Sequence, residues 1–208
     1  MNSDEGYKSI KTSLETKIKI KGSLFSCYSF PVSSLDEAHI ILENIRKEHY
    51  DATHHCYALQ LKDCTFKYSD DGEPNGTAGI RILNAIQHFD LKNILVIVVR
   101  YFGGTKLGVG LLGKTYYEAA ENNLSNVEFI DFIKYQKLQI TINFDDQGIV
   151  YKIFKNLNCI ITNTTFQENL SFEVLVPPTK TEFLKLSLTD ATKGKISINN
   201  QEIVYSPR

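Results

Sequence analysis

Glycine is concentrated in two segments that flank a single apolar run, ILVIVV, at residues 94–99. The first segment is SDDGEPNGTAG (69–79) and the second is RYFGGTKLGVGLLGKT (100–115). Glycine loses more chain entropy on folding than any other residue, so such density indicates backbone with positive φ or close approach to another group. Tight turns are one interpretation, since DG and PNG are common turn sequences. Two binding loops around one strand are the other, and long constrained loops are disproportionately functional.

The polar residues of these segments indicate what such loops could bind. Backbone N–H groups near Gly103 and at the start of the following helix, with Arg100 and Lys106 beside them, predict a site for a phosphate or a carboxylate. The alternative is that Arg100 pairs with Asp70 or Asp71 and locks the fold. The complete predicted binding set is His54, Asp70, Asp71, Gly72, Glu73, Gly76, Thr77, Gly79, Arg100, Tyr101, Phe102, Gly103, Gly104, Lys106 and Gly108.

The second segment also matches two nucleotide-binding patterns. Gly108–Gly113 fits GxGxxG, and Gly108–Thr115 fits the phosphate-binding P-loop pattern GxxxxGK[ST]. A P-loop begins directly after its strand, whereas this strand is predicted to end near Phe102. No later parallel strand supplies the magnesium-binding Asp. The patterns therefore favour coincidence over a nucleotide site.

A second polar cluster comprises His49, His54, His55 and Cys56. On a strand, His54 and Cys56 share one face and His55 points to the other, so at most two of these three could bind one metal ion. Packing or hydrogen bonding is the favoured interpretation. We expect no metal and no cofactor, and we assign no catalytic residue.

The elements that must position these groups fall into two parts, predicted at 1–133 and 134–208. The first part mixes strands with helices, and Ser33 or Ser34 is expected to cap a helix with an apolar stripe through Leu35, Ala38 and Ile45. The second part reads as strand, helix, strand, strand, helix, strand, with Thr179 as the expected cap of the last helix. That order is typical of the ferredoxin-like fold, so the predicted class is α+β.

Composition narrows the classes of function further. The chain has 208 residues, and 42% of them are hydrophobic, which is enough to form cores and excludes global disorder. A formal net charge of −1 excludes a strongly basic body that holds nucleic acid mainly through phosphates. ILVIVV is too short to cross a bilayer, and the four cysteines show no CxxC pair. We therefore expect a cytoplasmic protein with reduced thiols.

Three long motifs stand out in the first part of the chain, namely IRKEHYDATHHCYA (45–58), SDDGEPNGTAG (69–79) and YFGGTKLGVG (101–110). Together they resemble the IMPACT family, which includes the YigZ-like bacterial proteins and eukaryotic translation regulators. Arg81, Leu24, Leu111 and Gly113 depart from the family pattern. The P-loop match depends on Gly113 and Thr115, so the resemblance gives it no support.

The resemblance implies an N-terminal α/β domain similar to domain IV of elongation factor G, with a left-handed strand-helix-strand crossover, and a ferredoxin-like second domain. It also implies a non-enzymatic regulatory or binding role linked to translation, with the ribosome, an RNA or a translation-control protein as partner. An enzyme or binder of a phosphorylated ligand or nucleotide, acting in the groove between the DDGE and YFGG loops, is the alternative. In that case Asp70, Asp71, Glu73 or His54 could serve as a base.

Overall fold

The computed structural model describes residues 6–208. The chain divides into two compact units, one formed by Tyr7–Asp131 and the other by Phe132–Arg208 together with Gly6. Within the described residues, two antiparallel sheets are combined with five α-helices, so the predicted α+β class is confirmed. No helix of residues 6–208 is both long and apolar enough to cross a membrane.

The first unit is built on a five-stranded sheet with strand order β2-β3-β6-β4-β5. Its elements are β1 (Gly6–Ile10), β2 (Leu14–Ile20), β3 (Ser23–Pro31), α1 (Leu35–Glu48), β4 (His54–Gln60), β5 (Phe66–Ser69), α2 (Gly79–His88), β6 (Ile94–Tyr101) and α3 (Val109–Leu124). β6 carries the apolar run and lies at the centre of the sheet, paired antiparallel to both β3 and β4. A central strand covered on both faces needs a continuous apolar sequence, which explains ILVIVV.

The two faces of this sheet have separate cores. Val96 and Val98 face the core under α2 and α3, whereas Leu95, Ile97 and Val99 face the core under α1. Because successive strand residues point to opposite faces, Arg100 shares the face of Val98, and Tyr101 shares the face of α1. This alternation decides which residues reach each side of the molecule.

Helix α1 follows the predicted pattern. Ser34 is the N-cap, and its hydroxyl accepts a hydrogen bond from the Glu37 backbone N–H at 3.2 Å. The Glu37 carboxylate accepts a hydrogen bond from the Ser33 backbone N–H at 2.7 Å. Two backbone N–H groups at the start of the helix are therefore bonded to side chains, as in a capping box. Ala38, Leu42 and Ile45 are buried against the sheet. The expected cap and stripe are therefore confirmed, with Ser34 as the capping residue.

The second unit contains the predicted order of strands and helices. Its elements are β7 (Phe129–Ile142), α4 (Gln147–Asn156), β8 (Ile160–Phe166), β9 (Leu170–Val176), α5 (Thr181–Ala191) and β10 (Ile196–Pro207). β9 lies between β7 and β8, and β10 pairs with β7. The predicted cap of α5 is wrong, because Thr179 lies in a 3₁₀ turn (Pro178–Lys180) and no side chain caps this helix.

Candidate functional site

A cleft of about 360 Å³ lies where the two glycine-rich loops meet in the first unit. Of the predicted binding set, it brings together six residues: His54, Glu73, Arg100, Phe102, Lys106 and Gly108. The first loop supplies Glu73, the end of β6 supplies Arg100, and the second loop supplies Phe102 and Lys106. The remaining wall, which sequence analysis did not identify, comes from Thr53, Pro74, Leu107, Val109 and Leu112.

A buried ion pair lies at the wall of this cleft. Arg100 Nη1 is 2.6 Å from Glu73 Oε1, and the Tyr116 hydroxyl donates to the same oxygen at 2.8 Å. Only 4% of the Glu73 side chain and 6% of the Arg100 side chain are exposed. The predicted pairing of Arg100 with Asp70 or Asp71 is therefore wrong, because Glu73 takes that position.

The rest of the Arg100 side chain is held by rings and by one hydroxyl. Its guanidinium lies 5.3 Å from the Phe25 ring and 5.5 Å from the Phe102 ring, within the range of cation–π attraction. Nη2 is 3.4 Å from Ser23 Oγ. Nε is buried and has no hydrogen-bond partner, so one donor of this cation is unused.

Asp70 is turned away from the cleft into its own loop. Its carboxylate accepts hydrogen bonds from the backbone N–H groups of Gly76 (2.9 Å), Ala78 (2.9 Å) and Gly79 (2.8 Å). These amides lead into α2, whose N-cap residue Ala78 has no side chain that could cap it. Asp70 therefore caps α2 from nine residues upstream, and this structural role replaces the predicted ligand contact.

Asp71 is also engaged within the protein. Its carboxylate accepts from the His55 N–H at 2.6 Å and lies 3.5 Å from Arg46 Nη2. Its backbone carbonyl accepts from His54 Nδ1 at 2.8 Å, which orients the His54 ring. As a result, His54 Nε2 lies 3.8 Å from Glu73 Oε2 in the cleft wall.

Two of the predicted glycines are required by close approach to another part of the chain. A Cβ at Gly79 would lie 2.7 Å from backbone atoms of Ser69, and a Cβ at Gly103 would overlap the backbone of Gly22. Neither glycine therefore makes room for a ligand. Positive φ accounts for the others, namely Gly72, Gly76, Gly104 and Gly108.

Two further predicted residues lie outside the cleft. Thr77 is buried, and its hydroxyl donates to the Pro74 carbonyl at 2.6 Å. Tyr101 lies on the α1 face, where its hydroxyl is 2.9 Å from His49 Nδ1. The expectation that Tyr101 shares a site with Phe102 fails because the strand alternation separates their side chains.

The P-loop interpretation does not fit this geometry. Helix α3 begins at Val109, so most of the GxxxxGKT pattern is helical and cannot wrap around a phosphate. Lys114 lies 3.5 Å from Glu118 on an exposed helix face, and the Thr115 hydroxyl donates to the Leu111 carbonyl. An anion would instead meet the first turn of α3, which has no side-chain cap. Lys106 lines the same cleft.

The histidine and cysteine cluster forms no metal site. Among residues 6–208, no three His, Cys, Asp or Glu side chains are grouped to hold a metal ion. The Cys56 thiol donates to the Asp70 carbonyl at 3.0 Å, and its burial raises the pKa of the thiol well above the usual range. Cys56 therefore packs and donates a hydrogen bond, as the sequence interpretation favoured.

The fold and cleft define a two-unit α+β protein with an open loop cleft, and comparison with known proteins assigns its family. The Impact N-terminal domain model matches residues 21–124. The chain is 30% identical over 201 residues to IMPACT family member YvyE of Bacillus subtilis, covering 96% of this chain and 93% of the relative. The chain therefore belongs to the IMPACT family, as the motifs predicted.

Two further likenesses differ in their extent. Protein IMPACT of Rattus norvegicus is 33% identical over 94 residues, which are 41% of this chain and 29% of the relative. A crystal structure described as that of a hypothetical protein matches with a TM-score of 0.68 and 25% identity, covering 95% of this chain and 98% of that chain. The bacterial relative and the crystal structure span both units.

Proposed function

We propose that the cleft is a non-enzymatic recognition site for a macromolecular partner in translation control. The observation that carries this proposal is the composition of the cleft, in which an exposed aromatic ring, a lysine and a helix start without a side-chain cap lie beside a buried ion pair. Phe102 is 45% exposed and lines the cleft, so the face of its ring is available to an apolar group of a partner. The link to translation is what membership of the IMPACT family implies.

The cleft favours a protein segment over a nucleic-acid backbone. The cleft has apolar walls formed by Pro74, Leu107, Val109 and Leu112. Among the described residues that line it, Lys106 is the one lysine or arginine outside the Glu73–Arg100 pair. Nucleic-acid grooves carry several cations along the backbone path. A single carboxylate beside apolar side chains would match Lys106 and the start of α3. A ribosomal protein or a translation-control protein would present such a group, and RNA is the weaker choice.

We further propose that the two units correspond to the family domains predicted at 1–133 and 134–208. The second unit has the strand order β10-β7-β9-β8 with two helices over one face, which supports a ferredoxin-like assignment. In the first unit, β3 and β4 run parallel on either side of β6 and are joined through α1, which supports the likeness to domain IV of elongation factor G. A cytoplasmic location accords with four cysteines that are all free.

Partner binding is tested with a double variant of the cleft. Phe102→Ala with Lys106→Ala removes the exposed ring and the cation while leaving the Glu73–Arg100 pair intact. Phe66→Ala with Lys67→Ala is the matched control, because both residues are exposed on the edge strand β5 of the same unit. Ribosomes and cytosolic extract are captured on each immobilised variant and quantified by mass spectrometry.

We expect the cleft variant to lose a discrete translation component that the control variant and the wild type retain. If the cleft and control variants retain the same set of proteins, the recognition role of this cleft is wrong. Addition of salt separates the classes of partner, since a phosphate-based RNA contact weakens steeply and a largely apolar contact weakens little.

A second candidate function is the binding or turnover of a phosphorylated small molecule. It is supported by His54 Nε2 and Glu73 Oε2, which face each other at 3.8 Å beside Lys106. Saturable thermal stabilisation by nucleotides with magnesium, lost in Lys106→Ala and kept in Lys114→Ala, would favour this function. No shift with any nucleotide or with inorganic phosphate would exclude it.

A further inference from the structure

Five polar side chains form a continuous chain of hydrogen bonds on the α1 face of the first unit. The Tyr28 hydroxyl is 2.9 Å from Glu15 Oε1 and 2.7 Å from His49 Nε2. On the other side of the imidazole, His49 Nδ1 is 2.9 Å from the Tyr101 hydroxyl, which is 3.2 Å from Asp51 Oδ1. The chain therefore runs from carboxylate to carboxylate through two phenols and one imidazole.

All four hydrogen bonds of this chain can form in only one protonation state of His49. Each tyrosine hydroxyl has one proton and can donate one hydrogen bond. The Tyr28 hydroxyl donates to Glu15, and the Tyr101 hydroxyl donates to Asp51. Each hydroxyl then has only lone pairs to offer to the ring, so both ring nitrogens must donate. In a neutral imidazole one ring nitrogen has no proton and can only accept a hydrogen bond. One tyrosine hydroxyl must then donate to the ring, and its hydrogen bond to the carboxylate is lost.

The two phenols keep their protons near neutral pH. Burial raises the pKa of Tyr28 well above its usual range, and the bond to Glu15 adds to the effect. Burial also raises the pKa of Tyr101, with a further contribution from Asp51. At the Glu15 end, the hydrogen bond from Lys17 keeps the pKa of the carboxyl below its ordinary value. The imidazole is therefore the member of the chain whose protonation decides whether all four hydrogen bonds can form.

The same turn that carries His49 and Asp51 also holds the strand end of the cleft. The Thr53 N–H donates to the Arg100 carbonyl at 2.8 Å, and the Phe102 N–H donates to the Thr53 hydroxyl at 3.0 Å. Tyr101 lies between these two anchored residues. Hydrogen bonds therefore connect the turn that carries His49 and Asp51 to the backbone that carries two residues of the cleft.

We infer that proton binding at His49 is coupled, through Tyr101 and the turn 49–53, to the conformation of the β6 end that carries Arg100 and Phe102. A regulatory use of this coupling rests on the proposed recognition function, whereas the coupling itself does not. It makes the cleft responsive to pH from the opposite face of the sheet.

Other ionisable groups lie near this imidazole. Glu48 Oε1 is 4.0 Å from His49 Nε2, and Lys17 pairs with Glu15 at 2.8 Å. From β4, the His55 ring donates to the His49 carbonyl at 3.0 Å. Behind His55 lie Asp71 at 3.8 Å and, paired with Asp71, Arg46. His54 lines the cleft itself, so a His54 variant is needed as a control.

The coupling is tested by NMR on the full chain without any ligand, across about pH 5 to 9 where histidine changes charge. The ring nitrogens of His49 and the backbone amides of Asp51 and Phe102 are followed together. We expect all three to shift with one shared midpoint. Tyr101→Phe, which removes only a hydroxyl, should abolish the Phe102 component while the protein stays folded.

Two further variants make the result decisive. His49→Gln should remove the shared midpoint at Phe102, and His54→Gln should leave it in place. The inference is overturned if the Phe102 amide follows His54 instead, or if its pH dependence survives Tyr101→Phe. Because no partner is present, a negative result here is distinct from a failure of partner capture.

Discussion

Glu73 Oε1 and Arg100 Nη1 lie 2.6 Å apart in the wall of the cleft, and the Tyr116 hydroxyl donates to the same carboxylate oxygen. The two charges are separated by 27 residues in sequence and are almost fully buried. A buried pair of this kind stabilises little beyond a well-packed apolar pair, but removal of one partner leaves an uncompensated charge. The pair fixes the DDGE loop to the central strand. Because Arg100 is occupied by Glu73, Lys106 is the side chain that can meet an anion in this cleft.

Removal of Glu73 should therefore destabilise the protein strongly. We expect Glu73→Ala to lower the free energy of unfolding by about 3–5 kcal/mol, because Arg100 stays buried without its partner. Urea unfolding measures the change. Glu128→Ala breaks the exposed Lys11–Glu128 pair and should cost less than about 1 kcal/mol, and equal losses in the two variants would contradict the burial argument.

Asp70 should be a structural residue rather than a ligand. Asp70→Ala removes the acceptor of three backbone N–H groups at the start of α2, for an expected loss of about 2 kcal/mol in the free energy of unfolding. Asp63→Ala removes the acceptor of one backbone N–H group in an exposed turn and should change the free energy of unfolding much less. Hydrogen exchange at Gly79 should quicken only in the first variant.

Gly103 should not tolerate a methyl group. Gly103→Ala places the Cβ against the backbone of Gly22, with an expected loss of about 1–3 kcal/mol in the free energy of unfolding. Gly110 lies in the first turn of α3 with no atom within 4 Å of an added Cβ, so Gly110→Ala should be neutral or stabilise by up to about 1 kcal/mol. Thermal denaturation of the two variants distinguishes steric exclusion from a general need for flexible loops.

The four thiols should differ sharply in reactivity. Burial raises the pKa of Cys27 and Cys56 well above the usual range and that of Cys159 to about 11, whereas Cys64 is exposed. A thiol-specific reagent at about pH 7 should therefore modify one cysteine quickly, since the thiolate is the reactive form. Cys64→Ser should remove that fast phase. A fast phase that persists in this variant would mean that another cysteine is accessible.

His55 should make the protein sensitive to mild acid. Burial lowers the pKa of its imidazole below the ordinary value of 6.5, so the unfolded chain binds this proton more readily than the folded protein does. The resulting stability is fully present above pH 6.5 and declines as pH falls from there through the lowered folded pKa. Melting temperatures at several pH values should fall less steeply in His55→Gln than in the wild type or in His39→Gln, which alters an exposed histidine of α1.

The elements that the sequence predicted best are those defined by local patterns. The cap at Ser34 and the stripe through Ala38 and Ile45 lie within one helix, so neighbouring residues contain the signal. The apolar run of β6 is a similar case. The start of α5 was misplaced, because Pro178 begins a 3₁₀ turn that consumes the expected cap at Thr179.

The contacts of the candidate site could be predicted only in part. Glycine density located both loops, and the alternation of strand residues separated His54 from His55. The choice of Glu73 over Asp70 as partner of Arg100 depends on how a loop folds back across a distance of 27 residues, which no local pattern encodes. The contact of Tyr116 with Glu73 has no local signal for the same reason, since Tyr116 lies on a helix 43 residues later.

Gly22 and Gly103 meet although 80 residues separate them, one in the hairpin turn between β2 and β3 and the other beyond the end of β6. Because neither residue has a side chain, the two backbone segments can lie in contact. A larger residue at either position would collide with the backbone of the other. A graft of a tag, a fluorophore or a longer turn at residues 21–22 would push on the loop that carries Phe102 and Lys106. Labels for binding experiments therefore belong elsewhere, and the exposed turn at Cys64 offers such a position.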